Sequence, residues 1–269
     1  MKPFVIREPE APALPVVVSI PHAGTWLPPG YGERLASDAM RALPMTDWHV
    51  PLLFDFLPAL GVTVIAATVS RFVIDLNRPP AGEVLYPGRF ETGLVPLESF
   101  DGDPVFSKPP SDDEIAAARR DIYDPYHAAR CELLEHRREN GRVIQLDLHS
   151  VTPAANRVSG PLTHEIMLGD RDGASCASWL TDAVESAYVQ EGFSVARNDP
   201  YKGGWITASG GTLAGVEALQ IEMSWAAYMD PTIAPAQAAG VPPFTAIGAR
   251  LRQVFSALLP NAVRHLSSG

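Results

Sequence analysis

The sequence predicts an α/β fold: a mostly parallel or mixed central sheet with helices on both faces. Runs of apolar and β-branched residues alternate along the chain with longer segments whose apolar residues recur at helical spacing. The strand-like runs are apolar throughout, which is typical of strands that are buried on both faces. Strands that alternate with helices in this way usually form a sheet that helices cover on both sides.

The first half of the chain holds two predicted strands and two predicted helices. Residues 1–15 are rich in proline and lack periodic apolar positions, so we expect a surface lead-in. Thr46 is a candidate N-cap for the second helix. Residues 79–110 are rich in Pro, Gly and Asp and predict a long ordered excursion, and long loops in compact domains are often functional. The strands are predicted at 16–20 and 62–69, and the helices at 31–43 and 46–60.

The second half continues the alternation of strands and helices. Ser111 and Glu114 form a capping box that opens a helix to about residue 139, and Pro125 should kink or split this helix. No linker divides the chain, so we expect one domain over residues 1–269. The remaining strands are predicted at 142–150, 164–169 and 216–224, and the remaining helices at 175–191 and 244–259.

Composition and charge exclude several classes of protein. The hydrophobic fraction of 46% and the charged fraction of 19% are ordinary for a soluble globular protein. A net charge of −10 argues against a nucleic-acid or anionic-membrane surface. The most apolar window, residues 52–69, is interrupted by an aspartate, a proline and a glycine, so we expect no membrane span. Cys131 and Cys176 show no pairing pattern and residues 1–10 lack a signal-peptide core, which together predict a cytoplasmic protein.

Polar residues stand at the carboxyl ends of four predicted strands. His22 follows the strand "VVVSI", His149 ends "RVIQLDLHS", Arg71 follows the strand at 62–69, and Glu222 lies near the end of "VEALQIEMS". Ligands of open α/β sheets bind beyond the carboxyl ends of the strands. We therefore expect these four side chains to share one edge of the sheet.

The two histidines are candidate metal ligands. Imidazole nitrogen suits zinc, and a catalytic zinc takes three protein ligands and a water. For the third ligand the sequence offers Asp47, at the start of a predicted helix, and Asp147, two residues before His149. Because residues two apart in a strand share a face, Asp147 is also a candidate for orienting an imidazole from behind.

Glu222 and a basic run supply further candidates. A carboxylate in an apolar strand is costly to bury unpaired, so Glu222 is either a general base or half of a salt bridge. The run "SRFVIDLNRPP" at 70–80 places two arginines in an otherwise acidic chain. One arginine can polarise a carbonyl group and the other can bind a carboxylate; structural ion pairs, for example with Asp75, are the alternative. The polar turn at 198–204 could fold over a ligand or serve only as a turn.

Together these motifs resemble the N-formylglutamate amidohydrolase family. The matching segments are "SIPHAG", "TDW", "SRFVIDLNRPP", "DPYH", "LDLHS", "NDPYKGG" and "ALQIEMS", in this order over about residues 17–230. The arginine run is also similar to the R-x-x-x-D-L-N-R-like run of zinc carboxypeptidases and aspartoacylase-type deacylases. The resemblance implies a phosphorylase/hydrolase-like α/β fold with one zinc ion.

The resemblance also assigns roles to individual residues. It implies His22, Asp47 and His149 as metal ligands. It implies Glu222 as the catalytic glutamate and Arg71 as the carbonyl-polarising arginine. The substrate-binding residues that it implies are Asn77, Arg78, Tyr201 and Lys202.

The expected activity is zinc-dependent hydrolysis of an N-acyl amino acid, with N-formyl-L-glutamate as the leading substrate. Its partner is thus a small anionic molecule, not a nucleic acid or a membrane. Two departures from the family pattern are Glu217, where a histidine is usual, and "WITASGGTLAG" at 205–215; both are expected to line the substrate pocket. They leave open another N-acyl amino acid as substrate, a non-catalytic small-molecule-binding homologue, or an interaction module without a stoichiometric metal.

Overall fold

Seven strands form one mixed sheet. The computed structural model describes residues 2–230 and 244–268. The strand order is β1-β3-β2-β4-β7-β5-β6, in which β3, β2, β4 and β7 are parallel neighbours while β1 and β5 run antiparallel to β3 and β7. The strands are β1 (Phe4–Arg7), β2 (Val16–Ile20), β3 (Thr63–Ala67), β4 (Val143–Val151), β5 (Ile166–Gly169), β6 (Val195–Arg197) and β7 (Val216–Ser224).

Helices cover both faces of this sheet, so the predicted fold class is confirmed. Residues of α2, α5 and α7 pack with one face in one apolar cluster, and residues of α4 and α6 pack with the other face in a second cluster. None of the helices within residues 2–230 and 244–268 has the length and apolar character needed to cross a membrane. The helices are α1 (Asp38–Arg41), α2 (Val50–Leu53), α3 (Asp112–Ala118), α4 (Asp124–His136), α5 (Ser178–Gln190), α6 (Trp205–Gly211) and α7 (Thr245–Ser268).

The two faces of the parallel strands differ in polarity. The strands are buried as expected, but the expectation that they are apolar throughout is wrong for the face that α4 and α6 cover. On this face the side chains change from apolar to polar towards the carboxyl end of each strand. They are Val17 and Ser19 on β2, Val143, Gln145, Asp147 and His149 on β4, and Val216, Ala218, Gln220 and Glu222 on β7.

The lead-in at 1–15 contains a strand that the sequence does not predict. Phe4 pairs with Ala67, so β1 forms an antiparallel edge of the sheet. Val5 and Ile6 on this strand are exposed. A four-residue edge strand carries no burial pattern that distinguishes it from a surface segment.

The predicted helices at 31–43 and 46–60 are reduced to short turns. In the first, the backbone becomes extended at Leu35, and Ser37 then caps the four-residue α1. In the second, His49 adopts a left-handed conformation with φ of 63°, so the helix begins at Val50 and Thr46 is not its N-cap. A left-handed residue breaks the hydrogen-bonding pattern of an α-helix, although the apolar spacing continues.

The helix opened by the capping box forms and divides as expected. Ser111 accepts a hydrogen bond from the backbone N–H of Glu114, whose side chain in turn accepts from the N–H of Ser111. A π-helical turn, Arg119–Tyr123, separates α3 from α4, and Pro125 lies at the start of α4. The proline therefore splits the predicted helix, because its ring removes a backbone donor.

The other predicted elements occur, most of them with small shifts in their ends, and two elements are additional. α7 continues through Pro260 beyond the predicted end at 259, and β6 and α6 are not predicted. The excursion at 79–110 contains no regular helix or strand, as expected. Its residues Val95, Val105 and Phe106 pack into a third apolar cluster with residues that follow β3. A single domain over 1–269 stays a prediction.

Candidate active site

The carboxyl ends of the parallel strands meet at one cavity. His22 follows β2, Arg71 follows β3, His149 lies on β4, and Glu222 lies on β7 in register with His149. All four side chains are buried, and all four line the cavity. The structure thus brings together the four residues that the strand ends predict.

His22, Asp47 and His149 form a group that could hold a metal ion. Their potential ligand atoms lie within 4.8 Å of one another. Asp47 Oδ2 lies 2.9 Å from His149 Nδ1 and 3.8 Å from His22 Nδ1. The backbone N–H of Asp47 donates to the carbonyl oxygen of His22 at 3.0 Å, which fixes the Asp47 loop against the end of β2.

A second carboxylate lies behind each histidine. His22 Nε2 donates to Asp75 Oδ1 at 2.7 Å, and His149 Nε2 donates to Asp147 Oδ2 at 3.0 Å. The Nδ1 atom of each ring faces Asp47, and His149 Nδ1 lies within hydrogen-bonding distance of it. Within the described residues, the buried Nδ1 of His22 has no hydrogen-bond partner.

These donors fit a divalent metal ion. Two imidazole lone pairs and one carboxylate oxygen are a common zinc ligand set, and carboxylates typically orient such imidazoles from behind. Of the two aspartates that the sequence leaves open, Asp47 belongs to the group of potential ligands, whereas Asp147 takes the position behind His149.

Protonation of the two histidines differs. Burial, with the charge of Arg71, lowers the pKa of His22. Burial also opposes protonation of His149, but the carboxylates of Asp147 and Asp47 outweigh it and raise the pKa of His149 well above its ordinary value. A proton and a metal ion would therefore compete for the lone pair on His149 Nδ1.

Asp75 connects the histidine group to the arginine run. Its fully buried carboxylate accepts from His22, from Arg71 Nη2 at 2.5 Å, and from the backbone N–H of Asn77 at 2.9 Å. Burial alone would raise the pKa of Asp75, but the charges of Arg71 and Arg78 and the hydrogen bond from His22 hold it well below its ordinary value. The sequence indicates Asp75 only as an ion-pair partner; its position within the arginine run is the one signal of a larger role.

Glu222 is a desolvated carboxylate beside His149. Gln220 Nε2 donates to Glu222 Oε2 at 3.0 Å. Burial raises the pKa of Glu222 to about 8, against the opposing charge of His149 and with the repulsion of Asp47 added. A carboxyl group with a pKa near neutrality can both accept and donate a proton during a reaction. The sequence analysis does not predict Gln220 as a site residue, although its position two residues before Glu222 places it on the same face of β7.

Asn77 and Arg78 also line the cavity. Asn77 Oδ1 accepts from the backbone N–H of Ile206 at 2.7 Å, and its Nδ2 lies 3.3 Å from Asp147 Oδ2. Arg78 donates through Nε to the carbonyl oxygen of Thr92 at 2.9 Å and through Nη1 to that of Asn77 at 3.0 Å. These bonds hold the guanidinium group at the cavity wall without using Nη2.

The turn at 198–204 contributes Tyr201 and Gly204 to the cavity wall, but not Lys202. Burial and the charge of Glu222 raise the pKa of Tyr201. Lys202 Nζ lies outside the cavity and donates to Asp172 Oδ2 at 2.7 Å. A Cβ atom on Gly204 would lie within 2.6 Å of the Asn77 amide, so the turn packs directly against Asn77.

The excursion at 79–110 forms one wall of the cavity, whereas the two segments that depart from the family pattern do not. Lining residues from the excursion are Tyr86, Phe90, Glu91, Thr92 and Phe100. The expectation that Glu217 and residues 205–215 line the pocket is wrong, because none of these described residues is at the cavity. Glu217 lies near the amino end of β7, where it pairs with Arg142 at 2.9 Å.

The fold and the site together define a class of protein. A mixed α/β sheet carries, at its carboxyl edge, a buried His–Asp–His group beside a glutamate and two arginines. These are the features of a hydrolase of α/β architecture with a candidate metal centre.

The chain belongs to the N-formylglutamate amidohydrolase family, whose model matches residues 14–229. It is 38% identical over 224 residues to an N-formylglutamate deformylase of Pseudomonas putida, covering 81% of this chain and 83% of the relative. It is 36% identical over 222 residues to an N-formylglutamate deformylase of Pseudomonas aeruginosa, with coverage of 81% and 83%. The family resemblance of the sequence motifs is thus confirmed.

Solved structures share the fold. The crystal structure of an N-formylglutamate amidohydrolase from Ralstonia eutropha JMP134 matches with a TM-score of 0.78 at 30% identity, covering 99% of each chain. A structure from Agrobacterium tumefaciens matches with a TM-score of 0.67 at 23% identity, covering 94% of this chain and 96% of that one. The second match supports the fold alone.

Proposed function

We propose that this protein hydrolyses the amide bond of an N-acyl amino acid, and that N-formyl-L-glutamate is the substrate, giving L-glutamate and formate. The observation that carries the proposal is the buried Glu222 beside the His22–Asp47–His149 group. The deformylase names of the two Pseudomonas relatives support the choice of substrate.

His22, Asp47 and His149 would hold one divalent ion, for which we propose zinc because of the two imidazole donors. When bound, such an ion supplies Lewis-acid polarisation of the substrate carbonyl and lowers the pKa of water towards about 7. Asp75 and Asp147 accept the Nε2 protons of the two histidines and so orient the Nδ1 atoms towards Asp47, and a bound ion would replace the proton on His149 Nδ1.

Glu222 moves the proton in this proposal. It accepts a proton from water as the water oxygen bonds to the formyl carbon, and it donates that proton to the amide nitrogen as the C–N bond breaks. Burial disfavours the charged form of its carboxyl group, which favours taking up the proton from water and handing it on. Gln220 holds one carboxylate oxygen and thereby fixes the orientation of the group.

The arginines would bind the negative charges of the reaction. Arg71 is held by Asp75 and by the carbonyl oxygen of Met45 at 3.3 Å, so it is positioned before substrate binds. We assign it to the oxyanion that develops on the formyl oxygen. Arg78, with Asn77 beside it, would receive the α-carboxylate and orient the amide bond, and Tyr201 would contact the substrate from the turn at 198–204.

The experiment measures metal content and formate release from N-formyl-L-glutamate for the wild type and Glu222→Gln. We expect one zinc ion per chain in both proteins and a loss of about 100- to 10,000-fold in kcat for the variant. Glu217→Gln is the matched control, because Glu217 lies on the same strand away from the cavity, and it should keep wild-type kcat.

Two results would contradict the proposal. A Glu222→Gln variant that binds zinc and keeps wild-type turnover would remove Glu222 from the chemistry. The zinc-loaded wild type would also be assayed with a panel of N-formyl and N-acetyl amino acids. Turnover of another member of the panel, but not of N-formyl-L-glutamate, would identify that compound as the substrate. Zinc binding with no turnover across the panel would indicate a non-catalytic binding protein.

A further inference from the structure

A strained loop lies beside the cavity and has no part in the proposed mechanism. Arg171 and Asp172 adopt left-handed backbone conformations with φ of 58° and 56°, and Gly173 follows with φ of 84°. Residues other than glycine rarely adopt this conformation, and they do so mostly where the surrounding structure enforces it.

The surrounding structure does enforce it here. Asn198 Oδ1 accepts from the backbone N–H groups of Asp170 at 3.1 Å and Asp172 at 3.3 Å, and Asn198 Nδ2 donates to Asp170 Oδ1 at 2.7 Å. The loop is therefore tied to the start of the turn at 198–204, which borders the cavity.

The loop holds Arg171 against the turn at 198–204 and against Tyr86. Its backbone N–H donates to the carbonyl oxygen of Lys202 at 2.7 Å, and its Nη1 donates to that of Gly203 at 3.3 Å. The guanidinium carbon lies 5.4 Å from the centre of the Tyr86 ring. Tyr86 lines both the catalytic cavity and a neighbouring depression. Arg171 lines only the depression, so the Tyr86 side chain lies between it and the cavity.

This depression, which we call the outer basic site, is lined by Arg89, Arg171 and Lys202 with Asp172 as its one acidic residue. Lys202 pairs with Asp172. Arg89 Nη1 donates to the carbonyl oxygen of Pro200 at 2.9 Å, and no carboxylate within residues 2–230 and 244–268 forms a salt bridge with Arg89 or Arg171. Two guanidinium groups thus keep their charge unneutralised on a chain whose net charge is −10.

A second carboxylate of the substrate would have no matching cation in the catalytic cavity. Among the described residues that line it, Arg71 and Arg78 are the arginines and there is no lysine. Arg71 is engaged by Asp75, and Arg78 serves one carboxylate in the proposed mechanism. N-formyl-L-glutamate carries two. We propose that the outer basic site binds the second carboxylate of a dicarboxylate substrate, with Arg171 as its principal contact; this inference rests on the proposed function.

The test compares a substrate that has the second carboxylate with one that lacks it. We would measure kcat/KM for N-formyl-L-glutamate and N-formyl-L-glutamine with the wild type, Arg171→Gln and Arg171→Lys. We expect Arg171→Gln to lower kcat/KM for the glutamate substrate about 10- to 100-fold, mainly through KM, and for the glutamine substrate by less than about threefold. Arg171→Lys should restore part of the loss.

Arg41→Gln is the control for loss of one positive charge, because Arg41 pairs with Asp38 on the surface and does not line either cavity. It should keep both kcat/KM values. Equal losses of kcat/KM for the two substrates in Arg171→Gln would overturn the proposal, because they would indicate that Arg171 only stabilises its loop. Unchanged values for both would overturn it as well.

Failure of the proposed function would be visible separately, as a wild type that hydrolyses neither substrate. The outer basic site would then still be tested by calorimetric titration of the zinc-loaded wild type and Arg171→Gln with glutarate. At least tenfold weaker binding of glutarate to the variant supports the site, and equal binding overturns it.

Discussion

Replacing Asp75 by asparagine tests whether the centre of the site depends on one buried charge. Asparagine preserves the shape of the side chain and an oxygen that can accept from His22 and from the backbone of Asn77. It also places an NH2 group where Asp75 Oδ2 now accepts from Arg71 Nη2 at 2.5 Å, so two donors would face each other. The variant thus removes one charge and reverses one hydrogen bond.

The substitution should lower both the stability of the protein and its affinity for a metal ion. Arg71 is 5% exposed and would be left as a buried charge without its carboxylate, which costs about 3 to 5 kcal/mol in the free energy of unfolding. For a protein of this size we expect Tm to fall by about 10 °C. Loss of a carboxylate behind a ligating histidine typically weakens metal binding about 10- to 100-fold.

The assay pairs calorimetric measurement of Tm with zinc affinity measured by competition with a chelating dye. Asp38→Asn is the matched control, because the Asp38 side chain is 99% exposed and its pair with Arg41 lies on the surface. Such pairs contribute about 0 to 1 kcal/mol, so its Tm should change little. If Asp75→Asn kept both the Tm and the zinc affinity of the wild type, the assignment of Asp75 as the link between His22 and Arg71 would be refuted.

Two further predictions concern pH and packing. Burial and the charge of Arg130 lower the pKa of His127 to about 3. Since an unfolded His127 binds a proton near pH 6.5 and the folded one does not, this residue alone should lower the free energy of unfolding by about 1.4 kcal/mol per pH unit from about pH 6.5 towards 3. His127→Gln should flatten Tm against pH in this window, and an unchanged slope would contradict the assignment. Gly204→Ala should displace the Asn77 amide and lower kcat/KM more than about tenfold. Gly248→Ala, whose new methyl group meets open space, should keep the wild-type value. Equal activity of the two variants would contradict the packing role of Gly204.

The sequence predicts the sheet and its functional edge well, because both depend on patterns that are local to each strand. Apolar runs predict that β2, β4 and β7 are buried. The geometry of parallel sheets then predicts that the polar residues at their carboxyl ends lie close together. The sequence therefore predicts that His22, His149 and Glu222 share one edge of the sheet, where the structure has a cavity.

Features set by contacts between distant segments could not be predicted in this way. The left-handed backbone of His49 ends a helical pattern that the apolar spacing alone would continue. Sequence spacing also does not reveal which carboxylate lies behind which imidazole. Asp75 follows β3, whereas His22, with which it forms a hydrogen bond, follows β2. The sequence does not indicate Arg171 for the same reason, because its position depends on the packing of its loop against the turn at 198–204.

The change from apolar to polar side chains along one face of β2, β4 and β7 has a consequence for how this protein can vary. The amino ends of these strands supply cohesion, while the carboxyl ends hold polar groups that are costly to bury unless each is paired. Residues 79–110, which form one wall of the cavity, follow the carboxyl end of β3. New specificities can thus arise in these residues while the apolar half of the sheet keeps its sequence and its stability.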